Sequence, residues 1–289
     1  MFHGSLVALV TPMHADGSLD FDGLKRLIDW HIENDTDAFV LLGSTGEGVC
    51  LEESERRALL AVAVAHINGR KPVIAGTGSQ STAKTIALTK QAMAEGVEAC
   101  LVVTPYYNRP PQEGLYRHYA SLAEAVPLPI ILYNVPLRTA CDLLPETVQR
   151  LCAISNVVGI KDATGKLERL QAMQMLCGKQ LTYYSGDDPT ALEFMKRGGR
   201  GVISITANIA PKLMHDLCNA ALAGRYEEAE KINDFLAALH VLMCIESNPI
   251  PVKWSLGVLN LITPSLRLPL VPLSVQHHEC LRAALKILQ

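Results

Sequence analysis

The chain has 289 residues, 49% of them hydrophobic and only 19% charged, with a formal net charge of -3. That is enough apolar sequence for a large core. The charge is too evenly mixed for a nucleic-acid footprint or a polybasic membrane anchor, so a small soluble substrate is expected. The eight cysteines fall singly, with no Cys-x-x-Cys or other zinc-ligand spacing, and are expected to be reduced, mostly buried thiols of a cytosolic protein.

The opening run from Phe2 to Thr11 is apolar but lacks a basic n-region and a cleavage site, so it is read as a first strand, about 4–11. No stretch approaches the roughly 20 apolar residues of a membrane helix. Asp20 can cap a helix carrying Leu24, Leu27, Ile28 and Ile32. Strand 38–42 then runs into Gly43-Ser44-Thr45-Gly46-Glu47-Gly48, and helix 54–67 follows. Next come strand 72–78, helix 81–95 with Ser81 as cap, strand 99–105 opening onto Tyr106-Tyr107-Asn108, and helix 112–125. Strand 129–136, a short helix from Pro145, strand 157–163 and helix 166–177 continue the alternation. Strand 181–187, a helix from Pro189, strand 201–206 and helix 211–223 complete it.

Eight strand–helix pairs make a closed (β/α)8 barrel, an α/β TIM barrel, the leading architecture over 1–224. The doubly wound open sheet is the alternative, because both folds write the same alternation. Residues 225–289 contain three helical stretches (225–243, 249–260, 274–288) and no strand, and are expected to form a helical extension packed on the barrel.

In such a barrel the chemistry lies at the carboxyl ends of the strands. Those ends supply hydroxyls (Thr11, Ser44, Thr45, Thr77), phenols (Tyr106, Tyr107, Tyr133), one amine (Lys161), Gly186, Asp187, Ile205 and Thr206. A strand buried on both faces tolerates a cation poorly, so Lys161 is either a rim lysine with its head in water or a nucleophile. Burial disfavours an ammonium, and a neutral amine attacks a ketone to form a Schiff base. A metal site would need clustered His, Asp and Glu, and only His14 falls just beyond a strand end; no metal is expected. Gly78-Ser79-Gln80-Ser81-Thr82-Ala83-Lys84-Thr85 approaches a phosphate-loop pattern, but Ala83 replaces the glycine that permits close backbone approach. An ordinary loop with a capping serine is expected there.

Five motifs in order then resemble the pyruvate-dependent class I aldolases of the N-acetylneuraminate lyase superfamily. They are Gly43-Ser44-Thr45-Gly46-Glu47, Val103-Thr104-Pro105-Tyr106-Tyr107-Asn108, Tyr133-Asn134-Val135-Pro136-Leu137-Arg138-Thr139, Gly159-Ile160-Lys161-Asp162-Ala163-Thr164-Gly165 and Ser185-Gly186-Asp187-Asp188. The segment Asn248-Pro249-Ile250-Pro251-Val252-Lys253-Trp254 looks like the superfamily's C-terminal segment. The resemblance is nearest to the branch that joins pyruvate to L-aspartate 4-semialdehyde at the entry to diaminopimelate and lysine synthesis. It implies that Lys161 forms an imine with pyruvate and that no separate cofactor is used. It further implies Tyr133 as proton donor and acceptor, with Ser44 and Tyr107 extending a relay. Tyr107 would cross from a neighbouring subunit of a homotetramer built as a dimer of dimers. Thr45 would hold the pyruvate carboxylate and Arg138 the carboxylate of the semialdehyde, while Gly186, Asp187 and Ile203 would line the pocket.

Two positions depart from the common pattern. Ser44 stands where threonine is usual, and Ser-Thr is also what sialic acid lyases carry; a lyase for N-acetylneuraminate or a 2-keto-3-deoxy sugar acid is therefore the alternative. Arg138 favours the dicarboxylate-making branch, since a guanidinium fork matches a carboxylate. A catalytically silent barrel is a third reading. The positions matching the branch's lysine-effector site are Glu53, Arg56, Gln80, Lys84 and Tyr106. A lysine where a glutamate would receive the effector's ammonium implies that inhibition by L-lysine is weak or absent.

Overall fold

The computed structural model describes residues 2–288. Its first half runs β1 (Gly4–Ala8), α1 (Phe21–Glu33), β2 (Ala38–Leu41), α2 (Glu53–Ile67), β3 (Val73–Gly76), α3 (Thr82–Ala94), β4 (Ala99–Val103), α4 (Gln112–Ala125) and β5 (Ile130–Asn134). A single helical turn α5 (Pro136–Thr139) and then α6 (Pro145–Cys152) lead to β6 (Val157–Asp162), α7 (Leu167–Cys177), β7 (Thr182–Ser185), α8 (Ala191–Lys196), β8 (Gly201–Ser204) and α9 (Pro211–Leu222). Beyond these lie α10 (Tyr226–Leu242), α11 (Ile250–Val258) and α12 (His278–Leu285).

The eight strands pair in parallel, in sequence order, and β8 returns to β1 through Gly4↔Gly201 to Val7↔Ser204. The barrel is closed, so the open-sheet alternative falls. The β8–β1 pairing shows the closure, since strands whose side chains alternate inward and outward with both faces apolar suit either architecture. Leu6, Val40, Ile74, Leu101, Ile131 and Ile203 fill the interior, while Val7, Phe39, Leu41, Val102, Leu132 and Ile160 face the helices. In α1, the Asp20 side chain accepts from Gly23 N–H at 2.7 Å, and Leu24, Leu27 and Ile28 are buried. Each such leucine contributes about 1.5–3 kcal/mol by leaving water.

Three local expectations need correction. The turn α5 was not anticipated, since four residues are too few for a helical period to register. Pro189 opens a 3-10 turn (Asp188–Thr190), and the helix proper begins at Ala191. The stretch 274–288 is helical only over His278–Leu285, between two 3-10 turns. Nor are the thiols mostly buried: all eight cysteines are free, but only Cys100, Cys141, Cys177 and Cys218 are fully buried. Among the described residues, no helix is long and apolar enough to cross a membrane.

Candidate active site

Lys161 stands near the carboxyl end of β6, level with Tyr133 of β5 and Tyr184 of β7. It is 7% exposed, so the rim-lysine reading does not describe it. Its Nζ lies 4.3 Å from the centroid of the Tyr133 ring, and no carboxylate among the described residues pairs with it. A ring face stabilises an ammonium only modestly compared with an ion pair. The amine thus faces a cavity with no salt bridge to break before it reacts.

That cavity has two lobes sharing Gly43, Ser44, Leu101, Tyr133, Val135, Arg138 and Asn248. The inner lobe, about 140 Å³, holds Lys161, Thr45, Gly186, Ile205 and Cys244. The outer lobe, about 370 Å³, is walled by Glu47, Val49, Arg56, Tyr106 and Leu270, among others. Gly186 lies so close to the lysine that a Cβ there would come within 2.7 Å of Lys161 Cε and of Ala163 Cβ. The small residue makes room for the amine's stem.

The turn after β2 brings Ser44 and Thr45 to the inner lobe. Its shape depends on backbone conformations few side chains adopt, with Leu42 at φ 59° and Glu47 at φ 52°. Thr11 Oγ1 donates to Gly46 O at 2.7 Å. Thr45 Oγ1 accepts from Asn248 Nδ2 at 2.9 Å, which leaves the threonine's own proton free to donate into the cavity. Arg138 rides on α5, exposed and in the wall of both lobes, as a cation at the mouth should.

Below the lysine, Asp162 accepts from Asn134 Nδ2 (3.2 Å), Thr164 N–H (3.0 Å), the Thr164 hydroxyl and Arg169 Nε (3.2 Å). Arg169 also reaches Asp142 and Leu143 O. This network fixes the strand end that carries Lys161 and leaves the carboxylates of Asp162 and Asp142 partnered.

Three expected site residues lie elsewhere. Tyr107 is 90% exposed, at φ 74°, and does not wall either lobe of its own chain. Asp187 turns its carboxylate to Thr190, accepting from its N–H (3.3 Å) and its hydroxyl (2.6 Å). Ile203 sits in the barrel interior, and Ile205 occupies the wall instead. Of the positions matched to an effector site, Arg56 and Tyr106 line the outer lobe. Arg56 is buried, its guanidinium donating to Gly48 O and Gly76 O at 2.5 and 2.6 Å. Burial raises the Tyr106 phenol above its ordinary pKa. Lys84 Nζ lies 3.8 Å from Glu53 Oε1, while Gln80 accepts from Ser79 Oγ (3.0 Å) and, through its backbone carbonyl, from Asn108 Nδ2 (2.9 Å).

Asn248, Glu47 and Cys244 are cavity residues to which sequence reasoning gave no role. The signal available was the segment from Asn248 to Trp254, whose lysine sits in an otherwise apolar helix. Among the described residues, no cluster of His, Cys, Asp and Glu could hold a metal ion.

Fold and site together define the class: a closed (β/α)8 barrel enzyme with a buried, unpaired amine on its sixth strand, facing phenol, hydroxyls and a guanidinium. The model of the dihydrodipicolinate synthetase family matches residues 1–288. A 4-hydroxy-tetrahydrodipicolinate synthase of Nitrosococcus oceani is 56% identical over 286 residues, 99% of this chain and 98% of that protein. The chloride-inhibited dihydrodipicolinate synthase of Acinetobacter baumannii, solved with pyruvate, superposes with a TM-score of 0.98 at 49% identity, covering 99% of both chains. A dihydrodipicolinate synthase variant described as the first monomeric one gives 0.96 at 41% identity, covering 99% of this chain and 96% of that one. The chain belongs to the dihydrodipicolinate synthetase family and is an enzyme of the lyase type.

Proposed function

We propose that the chain condenses pyruvate with L-aspartate 4-semialdehyde to 4-hydroxy-tetrahydrodipicolinate through an imine on Lys161. The observation that carries this is the buried, unpaired Lys161 against the Tyr133 ring, in a cavity with Arg138 at its mouth. The amine adds to the ketone carbon of pyruvate, and loss of water gives the imine. Removal of a methyl proton gives an enamine, whose carbon attacks the aldehyde carbon and leaves a hydroxyl there. The semialdehyde's own amine then attacks the imine carbon, closes the ring and releases Lys161. No separate cofactor enters this sequence.

Tyr133 passes the protons of imine formation and enamine chemistry, with Ser44 next in the relay. The free proton of Thr45 and nearby backbone N–H groups receive the pyruvate carboxylate, and Arg138 receives that of the semialdehyde. Tyr107, exposed and off its own cavity, completes the relay of a neighbouring subunit in a dimer of dimers. Asp187 acts by holding the loop after β7, and Ile203 by supporting the floor. Residues 225–289 serve as an extension of the catalytic barrel, and the protein works in the cytoplasm. The Glu53–Lys84 pair supports weak or absent inhibition by L-lysine, because the amine that would meet the effector's ammonium is already in place.

Borohydride added with pyruvate tests the reading: a reduced adduct is expected on the peptide containing Lys161, and its absence overturns the proposal. Side-by-side assays with L-aspartate 4-semialdehyde and N-acetylmannosamine should give turnover with the first. Arg138→Ala should impair use of the semialdehyde and leave adduct formation intact; equal turnover in that variant would point to a sugar-acid lyase.

A further inference from the structure

The turn from Gly43 to Gly48 carries Ser44 and Thr45, yet it is held from within only by Glu47 N–H to Ser44 O (3.2 Å) and Gly48 N–H to Gly43 O (3.1 Å). Most of its other fixed contacts come from the C-terminal extension. Asn248 donates to Thr45 Oγ1 at 2.9 Å. Glu47 Oε1 lies 2.5 Å from Lys253 Nζ, and both side chains are 0% exposed. Glu47 Oε2 accepts from Arg267 N–H at 3.0 Å, and Lys253 Nζ donates to Ser265 O at 2.7 Å. The Arg267 guanidinium is in turn clamped to both oxygens of Glu55 on α2, at 2.5 and 2.6 Å.

A fully buried ion pair is a poor way to gain stability, because removing two charges from water offsets most of their attraction; apolar residues of similar volume commonly do as well or better. What charges supply and apolar contacts do not is direction. Here the directional contacts converge on Glu47, which walls the outer lobe and sits two residues after Thr45. We propose that Glu47 and Lys253 are a positioning pair: together they orient the turn bearing Ser44 and Thr45 toward the substrate carboxylate. Affinity for pyruvate is thereby set from helix α11 at the far end of the chain. The inference rests on the reading that the inner lobe receives pyruvate.

The experiment measures the pyruvate concentration giving half-maximal borohydride trapping at Lys161, together with the thermal midpoint, on the full chain. Lys253→Met strands a buried carboxylate and should lower the thermal midpoint. The double variant Glu47→Gln/Lys253→Met removes the stranded charge and should recover much of that midpoint. It should still need at least about tenfold more pyruvate for half-trapping, equivalent to ~1.4 kcal/mol of binding. Glu47→Gln alone keeps the shape and the acceptor for Arg267 N–H, and should shift half-trapping in the same direction by less. Half-trapping unchanged in Glu47→Gln and in the double variant, or a Lys253→Met defect that vanishes along with the stability defect, would mean a purely structural pair and overturn the proposal. A wild-type chain that forms no adduct at all would instead overturn the pyruvate reading, and this inference with it.

Discussion

Replacing Gly186 by alanine adds one methyl group against Lys161. The backbone of Gly186 is not in the left-handed region, so alanine is allowed there and the effect is steric alone. The new Cβ would stand 2.7 Å from Lys161 Cε and from Ala163 Cβ. Carbon atoms at ease lie about 3.5–4.0 Å apart, so the two sides must separate by roughly 1 Å. Ala163 is short and anchored by its N–H to Asn134 O, so the lysine stem is the part that gives. Overpacking of this kind costs about 1–3 kcal/mol of stability, which a chain of this size survives. A misplacement of about 1 Å at the reacting atom costs on the order of 10²-fold in rate. Gly186→Ala should therefore fold, with a modestly lower thermal midpoint, and lose about two orders of magnitude in the rate of borohydride-trappable adduct formation. Stopped trapping at fixed pyruvate, followed by intact mass, reads this directly. A folded Gly186→Ala chain that forms the adduct at the wild-type rate would refute the placement of Lys161 against this glycine.

Other predictions concern the subunit contact, the effector face and pH. Tyr107→Phe should lower kcat by about 10²–10⁴. Mixing it with the inactive Lys161→Ala chain under conditions of subunit exchange should restore part of the activity, because hybrid sites regain both groups; no recovery would argue that the phenol does not cross. L-Lysine at millimolar concentration should leave turnover unchanged, and inhibition in the submillimolar range would contradict the repulsion assigned to Lys84. His31 is fully buried, bonded to Thr36 Oγ1 at 2.8 Å, and desolvation pulls its pKa down to about 3. The unfolded chain binds the proton near its ordinary value of 6.5 while the folded chain refuses it, so stability falls as pH drops from about 6.5 toward 3, by at most about 5 kcal/mol. His118, lowered by burial to about 4, acts with the same sign. His31→Gln should flatten the thermal midpoint between pH 4 and 6.5; an unchanged slope would assign the acid loss to other groups.

The barrel was legible because its strands are short apolar runs ending in turn residues, and because both faces of each strand are buried. Lys161 was legible for the opposite reason: a cation in such a run breaks the pattern. Where the strand rule stops, so did the reading. The pocket position of Ile203 came from the resemblance alone, yet Ile203 lies in the barrel interior, and the wall is reached by Ile205, the strand-end residue just before the chain winds into a 3-10 turn. Two adjacent carboxylates after β7 look alike in sequence. Only the folded chain separates Asp187, which caps its own turn, from Asp188, which accepts from Ile205 and Thr206 N–H at 3.0 and 2.9 Å. His277 and His278 are half-buried: His278 stacks on Trp254 at 4.8 Å, and His277 faces Glu246 at 3.6 Å.

The boundary near residue 224 marks where strands end, and it is not where the site ends. Asn248, Pro269 and Leu270 belong to the extension and wall the cavity, while Lys253 and Arg267 hold the turn that carries Ser44 and Thr45. A barrel places reactive groups at its carboxyl face but leaves that face open, and imine chemistry needs bulk water kept away. Loop residues between the helices at the end of the chain, Asn248, Pro269 and Leu270 among them, wall that face and help meet the need. The buried Lys253 of α11 has its partner, Glu47, far away in sequence, in the second strand-to-helix loop. A polar residue out of place in one element is often a contact owed to another. Here two such lysines serve one site: Lys161 on β6 lines the inner lobe, and Lys253 on α11 pairs with Glu47, a residue of the outer wall.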